Sequence, residues 1–162
     1  MWETVPRLLG SLHYMVLATA DPAGHPWATP VFFVADGTDR VLWISSPDSR
    51  HSRNLADRPD VAITVFDTHA PIGKAEALYL EATASLVDGP AHPAALDRLN
   101  AALPSHQHLG LDEVAPSSTL RVYQALIREH HVLIRGGDPR FDNSVDTRLV
   151  VHAPGAPPTV TR

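Results

Sequence analysis

The chain has no cysteine among its 162 residues. That absence excludes disulfides, thiolate nucleophiles, iron–sulfur ligands and cysteine zinc sites together. Lysine is nearly missing too: Lys74 is the one lysine among 13 basic side chains, and it stands in no Gly-x4-Gly-Lys phosphate loop. Long apolar runs are lacking, since stretches such as Val31 to Ala35 fall far below the roughly 20 residues of a spanning helix. The start, Met1-Trp2-Glu3-Thr4, has no basic region followed by an apolar one, so no secretory signal is read and a cytosolic location is expected. No Gly-x-Gly-x-x-Gly, Gly-x-Ser-x-Gly or His-Glu-x-x-His is present, which leaves a Rossmann site, a serine-hydrolase elbow and a helical zinc site without their usual signs. With 44% hydrophobic residues, 19% charged residues and a net charge of −5, the composition is that of a soluble globular domain with neither nucleic acid nor membrane as partner.

What is present is patterned. Val5, Leu8, Leu9 and Leu12 fall at the spacing of one helical stripe and predict a short N-terminal helix. Strands are predicted at Tyr14–Ala20, Trp27–Ala35, Arg40–Ser46 and Val61–Phe66, separated by turn-forming clusters such as Asp21-Pro22-Ala23-Gly24 and Asp36-Gly37-Thr38-Asp39. Ser49 to Asp57 reads as a short helix stopped by Pro59. Leu78 to Val87 alternates strictly and is the clearest strand. A helix follows near 91–103, then strands at Leu120–Ile127, His131–Arg135 and Thr147–His152. Strands with so few intervening helices predict a mainly β fold, an antiparallel barrel with accessory helices, rather than a parallel sheet. One domain over 1–152 and a loose Pro-rich tail over 153–162 are expected.

The densest polar cluster is Ser45-Ser46-Pro47-Asp48-Ser49-Arg50-His51-Ser52-Arg53-Asn54, where a strand hands over to a helix. Hydroxyls, unpaired N–H groups at a helix start and two guanidiniums make a phosphate cradle. The bland reading of the same residues is a solvated helix whose arginines pair with Asp48, Asp57 and Asp60. The ten histidines invite a metal reading. However, His130 and His131 would face opposite ways on a strand, and His106 and His108 have no carboxylate at ligand spacing, so no metal site is assigned. Trp27, Phe32, Phe33 and Trp43 are read as core and strand faces.

Taken with what precedes it, the cluster carries a resemblance. The run Val16-Leu17-Ala18-Thr19-Ala20-Asp21-Pro22-Ala23-Gly24-His25-Pro26-Trp27-Ala28-Thr29-Pro30-Val31-Phe32-Phe33 is followed by Ser49-Arg50-His51-Ser52-Arg53-Asn54-Leu55 and Arg58-Pro59-Asp60-Val61-Ala62. In order and spacing it resembles the pyridoxamine 5′-phosphate oxidase-like family of FMN-binding split barrels. The resemblance implies a six-stranded antiparallel split β-barrel that forms a homodimer, with FMN at the dimer interface. It further implies an oxidoreductase that transfers hydride to or from a small organic substrate. Carried over, Ala28, Thr29 and Val31 would approach the flavin ring, and Ile44, Ser45 and Ser46 would line its ribityl side. Ser49, Arg50, His51 and Asn54 would sit at the phosphate, with Arg53 as a further cation. His51 stands where the family commonly has lysine, which leaves FMN and the deazaflavin coenzyme F-420 as alternative cofactors. A non-catalytic flavin or haem carrier or redox sensor is the alternative of another class. The substrate-binding arginine and histidine pattern of pyridoxamine 5′-phosphate oxidase itself is not recognised.

Overall fold

The computed structural model describes residues 1–155. Most of the expected tail, 156–162, therefore lies outside the described residues. The chain forms helix α1 (Thr4–Ser11), strands β1 (Tyr14–Ala20), β2 (Pro26–Phe32), β3 (Val34–Asp36) and β4 (Arg40–Ser45), helix α2 (Arg50–Asp57), strands β5 (Asp60–Phe66) and β6 (Ala77–Leu86), helix α3 (His92–Asn100), and strands β7 (Arg121–Ile134) and β8 (Thr147–Val151). Short 3-10 turns flank and follow α3. One curled sheet results, in the order β2-β1-β5-β6-β7-β4-β3 with β8 beside β7 and every pairing antiparallel. This is a split β-barrel with accessory helices.

Among the described residues eight strands stand where the resemblance implies six. β8 is the strand expected at Thr147–His152, and β3 had not been expected as a strand of its own. The stretch expected as one strand, Trp27–Ala35, changes partner at Phe33: residues before it pair with β1, and those after it pair with β4. Phe33 turns this corner with its ring fully inside and its N–H bonded to the His13 carbonyl. The two strands expected at Leu120–Ile127 and His131–Arg135 are one continuous β7. Arg128 is an extra residue in its ladder, because Ala82 faces Ile127 while Glu81 faces Glu129. The charged run Arg128-Glu129-His130 thus marks a bulge rather than a turn.

Strand alternation sends Met15 and Leu17 of β1, Ile63 of β5, Leu80 and Ala82 of β6, and Trp43 of β4 into one interior cluster. Trp43 is wholly buried and stacks on Tyr123 at 5.6 Å between ring centroids. β2 is an edge strand, which explains how it accommodates Pro26 and Pro30. Gly24, at φ 89°, closes the β1–β2 turn in a conformation other residues rarely take. A second, smaller cluster lies on the outer side of β4 and β7, where Leu42 and Val122 meet Leu96 and Leu99 of α3.

The helices close the barrel. At one end α1 buries Val5, Leu8 and Leu9 against it, and Arg7 pairs with Glu76 at 2.7 Å just before β6 begins. At the other end α2 lies across the finish of β1 and inserts Leu55 into the same interior cluster. No helix among the described residues is long and apolar enough to cross a membrane.

Candidate functional site

The most fully buried polar residues among those described gather at one end of the molecule. The buried polar side chains among the described residues are Thr19, Ser45, His51, Ser52 and Asn54, all on α2 or on the strand ends beneath it. A buried polar group is costly unless it is hydrogen-bonded, and here the partners are in place. Ser49 caps α2 by accepting from the Ser52 N–H at 3.3 Å, and its hydroxyl donates to Ser52 Oγ at 2.8 Å. His51 Nε2 lies 2.9 Å from Ser45 Oγ and 3.1 Å from Ser49 Oγ. Asn54 Nδ2 donates to Thr19 Oγ1 at 2.9 Å, tying α2 to β1.

Burial lowers the His51 pKa below its ordinary value of 6.5. At neutral pH the residue in the lysine position is therefore a neutral hydrogen-bonding group within the helix–barrel joint. The positive charge of the cluster sits on Arg50 and Arg53, both exposed. Arg50 lies with its guanidinium carbon 4.5 Å from the centroid of the Trp27 ring, a cation–π arrangement that fixes it beside β2. Arg53 donates to the Asp48 carbonyl. Ser46 Oγ accepts from the Asp48 N–H at 3.2 Å and shapes the turn into α2.

Strand alternation sorts the remaining sequence-predicted residues. In β2, Ala28 is exposed, whereas Thr29 and Val31 turn to the other face; Val31 joins the core, and Thr29 Oγ1 is buried without a hydrogen-bond partner. In β4, Ser45 lies against His51, while Ile44 points away and packs in the outer cluster beneath α3. The structure thus brings Ser45, Ser46, Ser49, Arg50, His51, Arg53 and Asn54 together around α2, with Thr29 and Ala28 on the adjoining strand. Val31 and Ile44 support the two strands from opposite sides.

Sequence reasoning missed two participants, Trp27 and Thr19, while Ser52 already stood in the polar cluster. Trp27 is 40% exposed and holds Arg50 rather than filling the core. Thr19 accepts Asn54 from 35 positions away, and Ser52 completes the hydroxyl chain. Thr19 and Trp27 face each other across the β1–β2 hairpin, a pairing readable from the turn at Gly24, but their contacts with α2 leave no local signature. A cavity of about 420 Å³ opens on the flank of α2 against Arg53, Leu86 and Tyr123, and one of about 390 Å³ lies between α1 and α3 beside Arg98. Neither includes Ala28, Thr29 or Arg50. Of the histidines, His106 and His108 are exposed on a turn. His130 and His131 face opposite sides of β7, His130 toward Thr38 and His131 toward Glu129.

The family described as pyridoxamine 5′-phosphate oxidase matches residues 1–126. No sequence among the curated proteins matches the chain. Three solved structures have similar folds. HutZ, the haem storage protein from Vibrio cholerae, is 19% identical with a TM-score of 0.64, over 78% of this chain and 89% of its own. A haem-binding protein from Mycobacterium smegmatis is 23% identical with a TM-score of 0.68, over 90% of this chain and 56% of its own. An F-420 reductase is 22% identical with a TM-score of 0.57, over 77% of this chain and 94% of its own. At these identities the likeness is one of fold.

Proposed function

The chain belongs to the pyridoxamine 5′-phosphate oxidase family, and on that premise we propose that it is a flavin-dependent oxidoreductase. It binds FMN between α2 and β2 and acts as a homodimer on a small organic substrate in the cytosol. The observation that carries this reading is the concentration of buried polar side chains at α2, with Arg50 held at its open start against Trp27.

The residues fit the group. A phosphate at the α2 N-terminus would meet backbone N–H groups, the Ser49 hydroxyl and the Arg50 and Arg53 guanidiniums. Thr29 Oγ1, buried and unpartnered, offers a hydroxyl to a polar ring edge. Bound flavin or deazaflavin supplies hydride transfer, which side chains alone do not perform. The chain's own contribution is position and charge. Ser45, His51 and Asn54 lock α2 onto the barrel so that its first turn keeps one orientation. Trp27 pre-orders Arg50, lowering the entropy lost on binding. The guanidiniums offset phosphate charge, and neutral His51 leaves the joint without a buried cation. Ala28 and Pro30 leave a flat, exposed strand edge that a second protomer would cover, which supports the homodimer.

Titration of the purified chain with FMN, reduced coenzyme F-420 and haem, followed by absorbance and fluorescence, tests the proposal. Micromolar or tighter binding of FMN is expected. Preference for the deazaflavin moves the activity to an F-420-dependent reductase, the chemistry named for one structural neighbour. Preference for haem favours a carrier like the two haem proteins of this fold. Failure of all three to bind below about millimolar overturns the reading.

A further inference from the structure

Away from α2, the outer face of the β6–β7 ladder gathers Glu81, Glu129 and His131. The bulge at Arg128 sets Glu129 opposite Glu81, and the two-residue period of the strand places His131 on the same face as Glu129. His131 Nε2 lies 2.7 Å from Glu129 Oε1 and 3.8 Å from Glu81 Oε1, and one donor atom from each residue falls within 4.8 Å of the other two. Two donors on one zinc-sized ion, each about 2.0–2.2 Å from it, stand about 3–3.5 Å apart, so the observed separations bracket what a shared ion requires.

Two further observations favour an ion over a simple ion pair. His131 Nε2 is buried and makes no aligned hydrogen bond despite its approach to Glu129; the oxygen lies close to the nitrogen but off the N–H direction. Among the described residues, neither glutamate has an arginine or lysine at ion-pair distance. The neighbouring arginines are engaged elsewhere, Arg148 of β8 over the Tyr79 ring at 4.3 Å and Arg128 on Asp60 at 2.8 Å. Two carboxylates thus share one imidazole, with no arginine or lysine charge among the described residues at ion-pair distance.

We propose that Glu81, Glu129 and His131 form a binding site for a divalent transition-metal ion of the zinc and cobalt class. One imidazole and two carboxylates suit such ions, and the exposure of Glu81 leaves water to complete the coordination. The sequence signal is Glu129-x-His131 on a strand, the spacing that a search among neighbouring histidines passes over. This site uses no residue of α2 or β2, so it stands or falls separately from flavin binding.

The test is a titration of the full chain with Co²⁺, read by its visible absorption, and then displacement with Zn²⁺. One ion per chain is expected. His131→Ala and the exposed Glu81→Gln should each weaken binding at least tenfold, whereas the double variant His106→Ala with His108→Ala should bind as the wild type does. Should His131→Ala fail to fold, Glu81→Gln decides the question alone, because its side chain is 60% exposed and the change keeps its shape. The proposal is overturned if neither ion binds more tightly than about millimolar, if Glu81→Gln binds unchanged, or if the loop histidine variant is the one that loses the ion.

Discussion

Two helices of eight residues each close the two ends of the barrel, and they do so with opposite chemistry. α1 buries Val5, Leu8 and Leu9, whereas α2 buries His51, Ser52 and Asn54 beside a single Leu55. The apolar closure gains stability directly from area removed from water. The polar closure gains little net, since each internal hydrogen bond replaces one to water and contributes about 0.5–1.5 kcal/mol. It gains a fixed direction instead, because hydrogen bonds specify orientation where apolar contacts do not. On the proposed function, the contrast assigns stability to the α1 end and ligand positioning to the α2 end.

The most severe way to break this division is at α1. Leu8→Ala should cost about 2–5 kcal/mol of unfolding free energy in urea, the range for a large buried side chain reduced to alanine, with FMN affinity unchanged in the protein that remains folded. A parallel loss of FMN affinity in the folded fraction would show that α1 also shapes the site. The reverse pattern is expected at Arg50→Ala. FMN binding should weaken by about 1.5–3 kcal/mol, the scale of a charged hydrogen bond, while stability moves by no more than about 0.5 kcal/mol, as for exposed positions in general. Unchanged affinity would place the phosphate elsewhere.

Asn54→Ala tests the joint between the two roles. It removes the bond to Thr19 inside the barrel end and should cost about 1–2 kcal/mol of stability, with a smaller loss in FMN affinity as α2 loosens. A stability cost near zero would mean that Leu55 alone seats the helix.

The same contrast explains what could be read from the chain in advance. The apolar stripe of α1 and the alternation of β6 are local patterns, and both stand where their spacing put them. The α2 cluster was legible as one polar group of side chains because its residues are consecutive. The division of labour inside it was not, since whether His51 faces solvent or Ser45 depends on a strand partner that no local period encodes. Ile44 and Ser45 illustrate the same limit: adjacent strand residues must point opposite ways, yet only the packing of α3 identifies which face is outside. At Phe33 and Arg128 the errors have one origin. A change of pairing partner and a bulge both preserve extended backbone, so a partner switch passes for one strand and a charged bulge passes for a turn.

The smallest expected effect concerns acid. Each end of the barrel holds one histidine whose pKa burial lowers: His51 under α2, and His130 at the α1 end, where it packs against Trp2 with ring centroids 5.1 Å apart. With a folded pKa below the ordinary 6.5, the unfolded chain binds more protons across the interval between the two values. The stability due to each neutral histidine is therefore full above pH 6.5 and is lost as pH falls through the folded value. The two ends differ in what acts beside burial. The Thr38 carbonyl, 2.6 Å from His130 Nε2, and the charge of Asp39 favour protonated His130 while His131 and His152 disfavour it, whereas burial alone acts on His51. Urea denaturation between pH 7.5 and 5.5 should therefore show that His51→Gln and His130→Gln each flatten the acid loss. An acid loss unchanged in His51→Gln would mean that the hydroxyls of Ser45 and Ser49 accommodate the charged ring, and the polar end would then be no more exacting than the apolar one.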